Sequence, residues 1–182
     1  MFEAMVDPTG GRSTHAAGAR LAARPPRLAG LVVGLLANPK TNAEPFLEAV
    51  ADLLAAEHGT AAVVRRRKTG ITDPVPPAVL AELAQRCDVV VIGVGDCGSC
   101  SAAAVADGIA FEAAGVPAAV ICSDAFRMSA DAMARLQGAP GYRYVCTPHP
   151  VAPLDAGGVR ERARLALPEL VALLTGPAAA AA

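Results

Sequence analysis

The regular alternation of short apolar runs with helix-patterned segments constrains this chain more than any other feature. Leu31–Leu36, Ala61–Val64, Asp88–Val94, Pro117–Cys122 and Tyr142–Cys146 read as strands, with DVVVIGV at Asp88–Val94 the clearest. A continuous apolar run of this length is expected of a strand covered on both faces. Between the runs, Ala43–His58 places Phe46, Leu47, Val50, Leu53 and Leu54 on one helical face, with Asn42 placed to cap it and Gly59 to stop it. Pro77 opens a second helix to Arg86, and Ser101–Ala114, Ser129–Gln137 and Val159–Leu174 supply three more. Strand and helix repeated in this way require right-handed crossovers. The expected fold is α/β: a single doubly wound, mostly parallel five-stranded sheet with helices on both faces, flavodoxin-like.

A hydrophobic content of 53% against 18% charged residues is ample for a core and excludes global disorder. The predicted α/β domain occupies residues 27–175. Residues 1–26 lack periodicity and end in Pro25-Pro26, which predicts a partly disordered arm, and residues 176–182 read as a flexible tail. With 16 Lys+Arg against 17 Asp+Glu, the chain has no electrostatic reason to bind nucleic acid or an anionic membrane. Aromatics at 3% leave no base-stacking platform. The longest apolar runs fall short of the roughly 20 residues that cross a bilayer. The arginines of the first 27 residues are interrupted by Glu3 and Asp7 and precede no signal-like apolar stretch. Five cysteines, an odd number without the spacing of a stapled secreted domain, point to reduced thiols in the cytoplasm.

In an open parallel sheet the ligand crevice lies at the carboxyl ends of the strands. The segments predicted to meet there are Asn38, Lys40, Thr41 and Asn42 after the first strand and Arg65–Lys68 after the second. Gly95–Ser101 follows the third, Ser123 and Asp124 the fourth, and Thr147 to His149 the fifth. Thiols, a carboxylate, cations and an imidazole therefore converge on one rim.

Within GVGDCGSCS, Cys97 and Cys100 form a C-x-x-C pair where a buried strand turns into a helix. Gly95 and Gly98 permit a tight turn and close approach of a substrate, with Ser99 and Ser101 alongside. A thiol at a helix start meets unpaired N–H groups and the positive end of the macrodipole, which favours the thiolate. Cys97 is the expected nucleophile, and Cys100 is spaced to attack a mixed disulfide or sulfenic acid formed on it. Competing readings are half of a zinc site, inert packing thiols, or a phosphate-binding turn. No second C-x-x-C or paired histidines complete four ligands, and the turn lacks the Gly-Lys-Ser/Thr of a phosphate loop. No metal and no organic cofactor is expected.

His149, held between Pro148 and Pro150, reads either as a general acid or base or as a loop cap. Asp96 either steers a proton or binds a neighbouring N–H. Lys40, Arg67 and Lys68 are candidates for an anionic substrate group, although such a charge run is also what a solvated edge looks like. Asn38 and Asp124 complete the candidate substrate-binding set. Cys87, Cys122 and Cys146 read as packing residues.

At GVGDCGSCS the sequence resembles the UGSC-motif family, named for selenocysteine-Gly-Ser-Cys or its cysteine form. Asp7–Gly11, Gly34–Ala43, Val64–Lys68, Gly115–Pro117, Ser123–Phe126 and Pro148–Pro150 extend the likeness over about residues 7 to 165. The resemblance puts Cys97 at the selenocysteine position, which implies a redox or strongly nucleophilic role. The local pattern is also similar to the selenoprotein B component of glycine, sarcosine and betaine reductases, where selenium attacks a substrate carbon and a nearby thiol completes the reduction. Here sulfur stands in place of selenium, and Ala102–Ala104 replace more polar helix residues, which favours lyase, transferase or hydrolytic uses of the same thiol.

Three functions follow as expectations. The first is a cytoplasmic thiol oxidoreductase acting on a small anionic metabolite, with Cys97 as nucleophile and Cys100 as resolving thiol. The second keeps Cys97 without a redox cycle, partnered by His149, Asp96 or another thiol. The third is a non-catalytic subunit or ligand-binding module. The Ala-rich helices suggest a homo-oligomer, and a partner protein supplying electrons or substrate fits the first reading.

Overall fold

The apolar alternation resolves into five strands and five helices in the computed structural model, which describes residues 21–176. In chain order these are β1 (Val32–Ala37), α1 (Ala43–His58), β2 (Ala62–Arg67), α2 (Pro77–Arg86), β3 (Val89–Gly95), α3 (Gly98–Ala113), β4 (Ala118–Ser123), α4 (Arg127–Leu136), β5 (Val145–Thr147) and α5 (Ala156–Leu174). A single 3₁₀ turn, Asp124–Phe126, leads into α4. Every strand pair is parallel and the order is β2-β1-β3-β4-β5. This is the flavodoxin-like arrangement, with the strand order reversing between β1 and β3.

The period-two alternation of the strands sorts the core into two layers. Val33, Leu35, Val89, Val91, Ala119 and Ile121 face α1 and α5, where Phe46, Leu47, Val50, Leu54, Leu167, Leu170 and Leu174 are buried. Leu36, Val64, Val90, Ile92, Val120 and Cys122 face α2, α3 and α4, against Leu83, Val105, Ile109, Phe111, Ala130 and Ala134. Each large side chain fully buried in these layers contributes about 1.5–3 kcal/mol.

Several local expectations change. Asn42 stands at the start of α1 in the left-handed region, φ 65°, but its side chain does not cap the helix. Its amide instead donates to the carbonyls of Val151, Ala152 and Leu154, fastening the β5–α5 loop to the β1–α1 turn. Gly59 stops α1 with φ 66°, as expected. Arg65–Arg67 of the basic run do not follow β2 but form its second half, and only Lys68 comes after it. Arg65 and Arg67 turn to Glu48 and Glu44 of α1 while Arg66 turns to Glu82 of α2, so period-two alternation gives each guanidinium a carboxylate.

Residues 21–26, expected to belong to a loose arm, are fastened to their own domain. The Arg24 guanidinium makes a two-pronged pair with Glu112 of α3 at 2.6 and 2.7 Å and donates to the Leu173 carbonyl. Glu112 also accepts from the Ala22 and Ala118 N–H groups. The Gly176 N–H donates to the Pro25 carbonyl at 3.0 Å. The rest of the predicted arm, and the tail beyond Gly176, lie outside the described residues.

Candidate active site at the carboxyl rim

The site begins where β3 ends. Helix α3 starts at Gly98, three residues earlier than the sequence suggests, which makes Cys97 its N-cap residue and places Cys100 in its first turn. Cys97 Sγ accepts the Cys100 N–H at 3.2 Å, the contact a capping side chain makes. Ser99 Oγ lies 3.5 Å from the same sulfur. Cys97 and Cys100 are joined as a disulfide with their Cα atoms 5.2 Å apart. Cys97 is partly exposed whereas Cys100 is 1% exposed, so only one sulfur of the pair can meet a solute. No acidic residue occupies the first turn of α3.

Beside Cys97, Asp96 is buried in a ring of donors. Ser123 Oγ–H donates to it in a short hydrogen bond, the N–H groups of Val151 and Ala152 donate at 3.0–3.1 Å, and His149 Nδ1 lies 3.0 Å from Oδ1. Burial by itself would raise this carboxyl, but the donors outweigh it and hold the group below the ordinary carboxylate range. Asp96, held ionised, orients the His149 imidazole through Nδ1. The ring is braced edge-on by Phe126, 5.0 Å between centroids, and the His149 N–H donates to Asp124 Oδ1 at 3.0 Å. Of the two possibilities raised for Asp96, the binding of backbone N–H groups is observed, and the same carboxylate also contacts the imidazole.

Other predicted site residues serve the fold. Asn38, 6% exposed, donates to the Val94 carbonyl at 2.7 Å and accepts from the Lys40 N–H, stapling the β1 loop to β3 at the switch point. Ser101 is fully buried and donates to the Gly95 carbonyl. A Cβ on Gly95 would stand 2.7 Å from the Ser101 Cα and 2.9 Å from Cys122 Sγ. Gly95 therefore lets α3 close onto the sheet, rather than admitting a substrate. Gly98 faces Ser129 of α4, whose Oγ would stand 3.1 Å from a Cβ added there, a milder constraint because that hydroxyl can turn aside. Lys68 is buried and paired with Asp107 of α3 at 2.6 Å. Arg67 is half exposed at the β2 edge, 3.6 Å from Glu44. Lys40 remains half-buried at the end of the β1 strand, with no carboxylate within ion-pair distance among the described residues.

Sequence reasoning missed the backbone donors of Val151 and Ala152, and it missed Asp107 and Glu112. A signal for the last two was present. They are lone carboxylates in a helix otherwise made almost wholly of small and apolar residues, which is how a helix buried all round reads.

Burial holds the other three thiols towards their protonated form. Burial pushes Cys87 up to about 11 and Cys122 up to about 12, and burial also raises Cys146. The more spacious cavities lie elsewhere. One of about 560 Å³ is lined by Arg24, Tyr142, Leu173 and Gly176 at the amino edge of the sheet, and one of about 200 Å³ lies between α1 and β2. Neither holds a thiol or imidazole, so chemistry rather than volume locates the site. Among the described residues no helix is long and apolar enough to cross a membrane.

Compared with known proteins, the chain matches the model of the UGSC family over residues 4–176. No curated protein matches it.

Proposed function

The chain belongs to the UGSC family, and on that premise we propose that it is a cysteine-dependent oxidoreductase acting on a small, anionic metabolite. Cys97 is the nucleophile and Cys100 the resolving thiol. One observation carries the reading: the exposed sulfur of the bonded pair caps a helix N-terminus, and its partner is buried behind it. The helix end stabilises the Cys97 thiolate. That thiolate attacks the substrate and forms a bond from sulfur to its electrophilic atom, displacing a leaving group. Cys100 then attacks Cys97 Sγ, forming the disulfide and expelling the substrate fragment with the electron pair. The fragment gains a proton from the rim, where His149 is the oriented carrier. A dithiol reductant returns both sulfurs to thiols. Lys40 supplies the cation for the substrate's anionic group.

The same reading places the reaction in the reducing cytoplasm, in a homo-oligomer, with a partner protein delivering electrons or substrate. The near-neutral charge supports a small-molecule substrate over nucleic acid.

The test is selective alkylation. With the disulfide reduced, iodoacetamide followed by peptide mass mapping should modify Cys97 well before Cys87, Cys122 and Cys146. Labelling spread evenly over the thiols would count against any nucleophilic role. In a separate sample of reduced, unalkylated protein, mild peroxide should restore a species two hydrogens lighter, linked Cys97 to Cys100.

A second reading, a non-redox lyase, transferase or isomerase using Cys97, is favoured by the Asp96–His149 pair, since an oriented imidazole serves proton transfer without a second thiol. Under it, Cys100→Ser retains turnover of the substrate; under the redox reading the same variant accumulates a covalent adduct on Cys97.

A further inference from the structure

His149 enters the reaction above as the proton carrier, and its imidazole stands against Asp96, the residue before Cys97. The chain is held differently on its two sides. Ahead of the ring, Arg162 donates to the Pro148 carbonyl at 2.9 Å and Asp124 accepts the His149 N–H. Behind it, no helix begins until Ala156, so the Val151–Leu154 stretch depends on side chains to fix it. The N–H groups of Val151 and Ala152 go to Asp96 at 3.0–3.1 Å. The carbonyls of Val151, Ala152 and Leu154 all go to the side-chain amide of Asn42, at 3.1, 3.1 and 2.8 Å. The Val151 carbonyl also accepts the Leu154 N–H, but those of Ala152 and Leu154 have no other protein donor among the described residues.

The Val151 carbonyl and the Ala152 N–H belong to one planar peptide group and point opposite ways. Asn42 holds the oxygen and Asp96 the hydrogen, so that plane cannot turn without losing both bonds. Asn42 does this in place of capping its own helix. Its φ of 65° is one that asparagine adopts more readily than most residues. The turn it belongs to is itself fixed: Asn38 Oδ1 accepts the Lys40 N–H, and the Lys40 carbonyl accepts the Ala43 N–H. We propose that Asn42 is a positioning residue for His149. By taking these carbonyls it turns the matching N–H groups onto Asp96 and thereby sets the imidazole beside that carboxylate. The proposal rests on the reading of His149 as the proton carrier.

The step it serves is disulfide closure, and hydrogen peroxide is the probe. Peroxide first converts the Cys97 thiol to a sulfenic acid with release of water. The Cys100 electron pair then forms the S–S bond, the Cys100 proton passing to solvent, while the S–O bond on Cys97 breaks towards oxygen. The departing hydroxide takes a proton from His149 and leaves as water, and the imidazole is reprotonated from solvent. Two thiols are oxidised and one peroxide is reduced to two waters.

Closure runs at a rate independent of peroxide, so quenching the reduced full-length chain with an alkylating agent and weighing it reads this step alone. His149→Gln should slow closure about 100-fold. Asn42→Gly keeps the left-handed backbone, which glycine adopts freely, and deletes only the amide. It should slow closure roughly tenfold, the part of that loss caused by a misplaced imidazole. Added to His149→Gln, it should cost nothing further. Alkylation of Cys97 by iodoacetamide, in which iodide leaves without a proton, should keep its wild-type rate in Asn42→Gly. Asn42→Asp has the same shape but turns acceptors towards the carbonyls, so it should slow closure at least as much, and it decides alone should the glycine variant not fold. The imidazole NMR signals of His149 should shift in both variants.

Wild-type closure or unchanged imidazole signals in the Asn42 variants overturn the proposal. So does a loss that persists in the His149→Gln background or is matched by slower alkylation. Full-speed closure in His149→Gln, or a Cys97 that peroxide does not oxidise selectively, instead overturns the reaction proposed above. The imidazole signals of the Asn42 variants then decide the positioning by themselves.

Discussion

Two buried carboxylates flank the same pair of cysteines, and the fold pushes them in opposite directions. Asp96, on the rim side, is wrapped by donors from Ser123, Val151, Ala152 and His149 and stays ionised below the usual range. Asp107, on the inner side, has one ammonium and one N–H in a mostly apolar setting and is shifted upward. Asp96 has the more donors and the shallower burial, and both differences act in the same direction. Donor count and depth of burial thus separate two groups of one chemical type, one orienting an imidazole and the other paired with a buried ammonium.

The comparison can be broken from the inner side first. Asp107→Ala leaves the Lys68 ammonium buried without a counter-charge and is expected to destabilise by about 3–5 kcal/mol, read from urea midpoints. Asp96→Ala should cost less, about 1–3 kcal/mol, because it strands neutral donors rather than a buried charge. That variant should also free the His149 ring, visible as a changed imidazole NMR signature with the sheet intact. The pH dependence sharpens the contrast through its sign. The Asp96 contribution is fully present above the ordinary carboxylate value and lost as pH falls through its depressed one. The Asp107 contribution is present below the ordinary value and lost as pH rises through its raised one. Stability relative to wild type should therefore rise for Asp96→Asn on acidification and fall for Asp107→Asn, measured over the acid limb. The smallest effect belongs to a surface pair. Arg65→Ala, which breaks the half-exposed bridge to Glu48, should change stability by less than about 1 kcal/mol and leave Cys97 alkylation untouched.

The strand–helix alternation, the parallel sheet and the position of Cys97 at a helix start are legible in the sequence because they depend on local pattern. DVVVIGV can only be a buried strand in such a chain, and a C-x-x-C between it and a helix must lie at the carboxyl end. What is illegible depends on partners distant in sequence. Arg65–Lys68 looks like a solvated run until Glu44, Glu48, Glu82 and Asp107 are brought alongside. Asn38, Gly95 and Ser101 carry the residue types of a binding loop, yet two of them spend their polar groups on the β3 backbone and the third makes room for α3. The sequence pattern starts α3 three residues late because Gly98 and Ser99 are weak helix formers, and only the Cys97 cap shows why the helix begins before them.

The hydrogen bond from Gly176 to Pro25 has a consequence for engineering. Helix α5 leaves the rim and runs 19 residues, ~28 Å, back along the sheet, so it delivers Gly176 to the opposite edge. Positions 25 and 176 are thus neighbours in space at the amino end of the sheet, opposite Cys97 and Cys100. A reporter or a surface tether attached at either position would leave the reactive sulfur facing open solution.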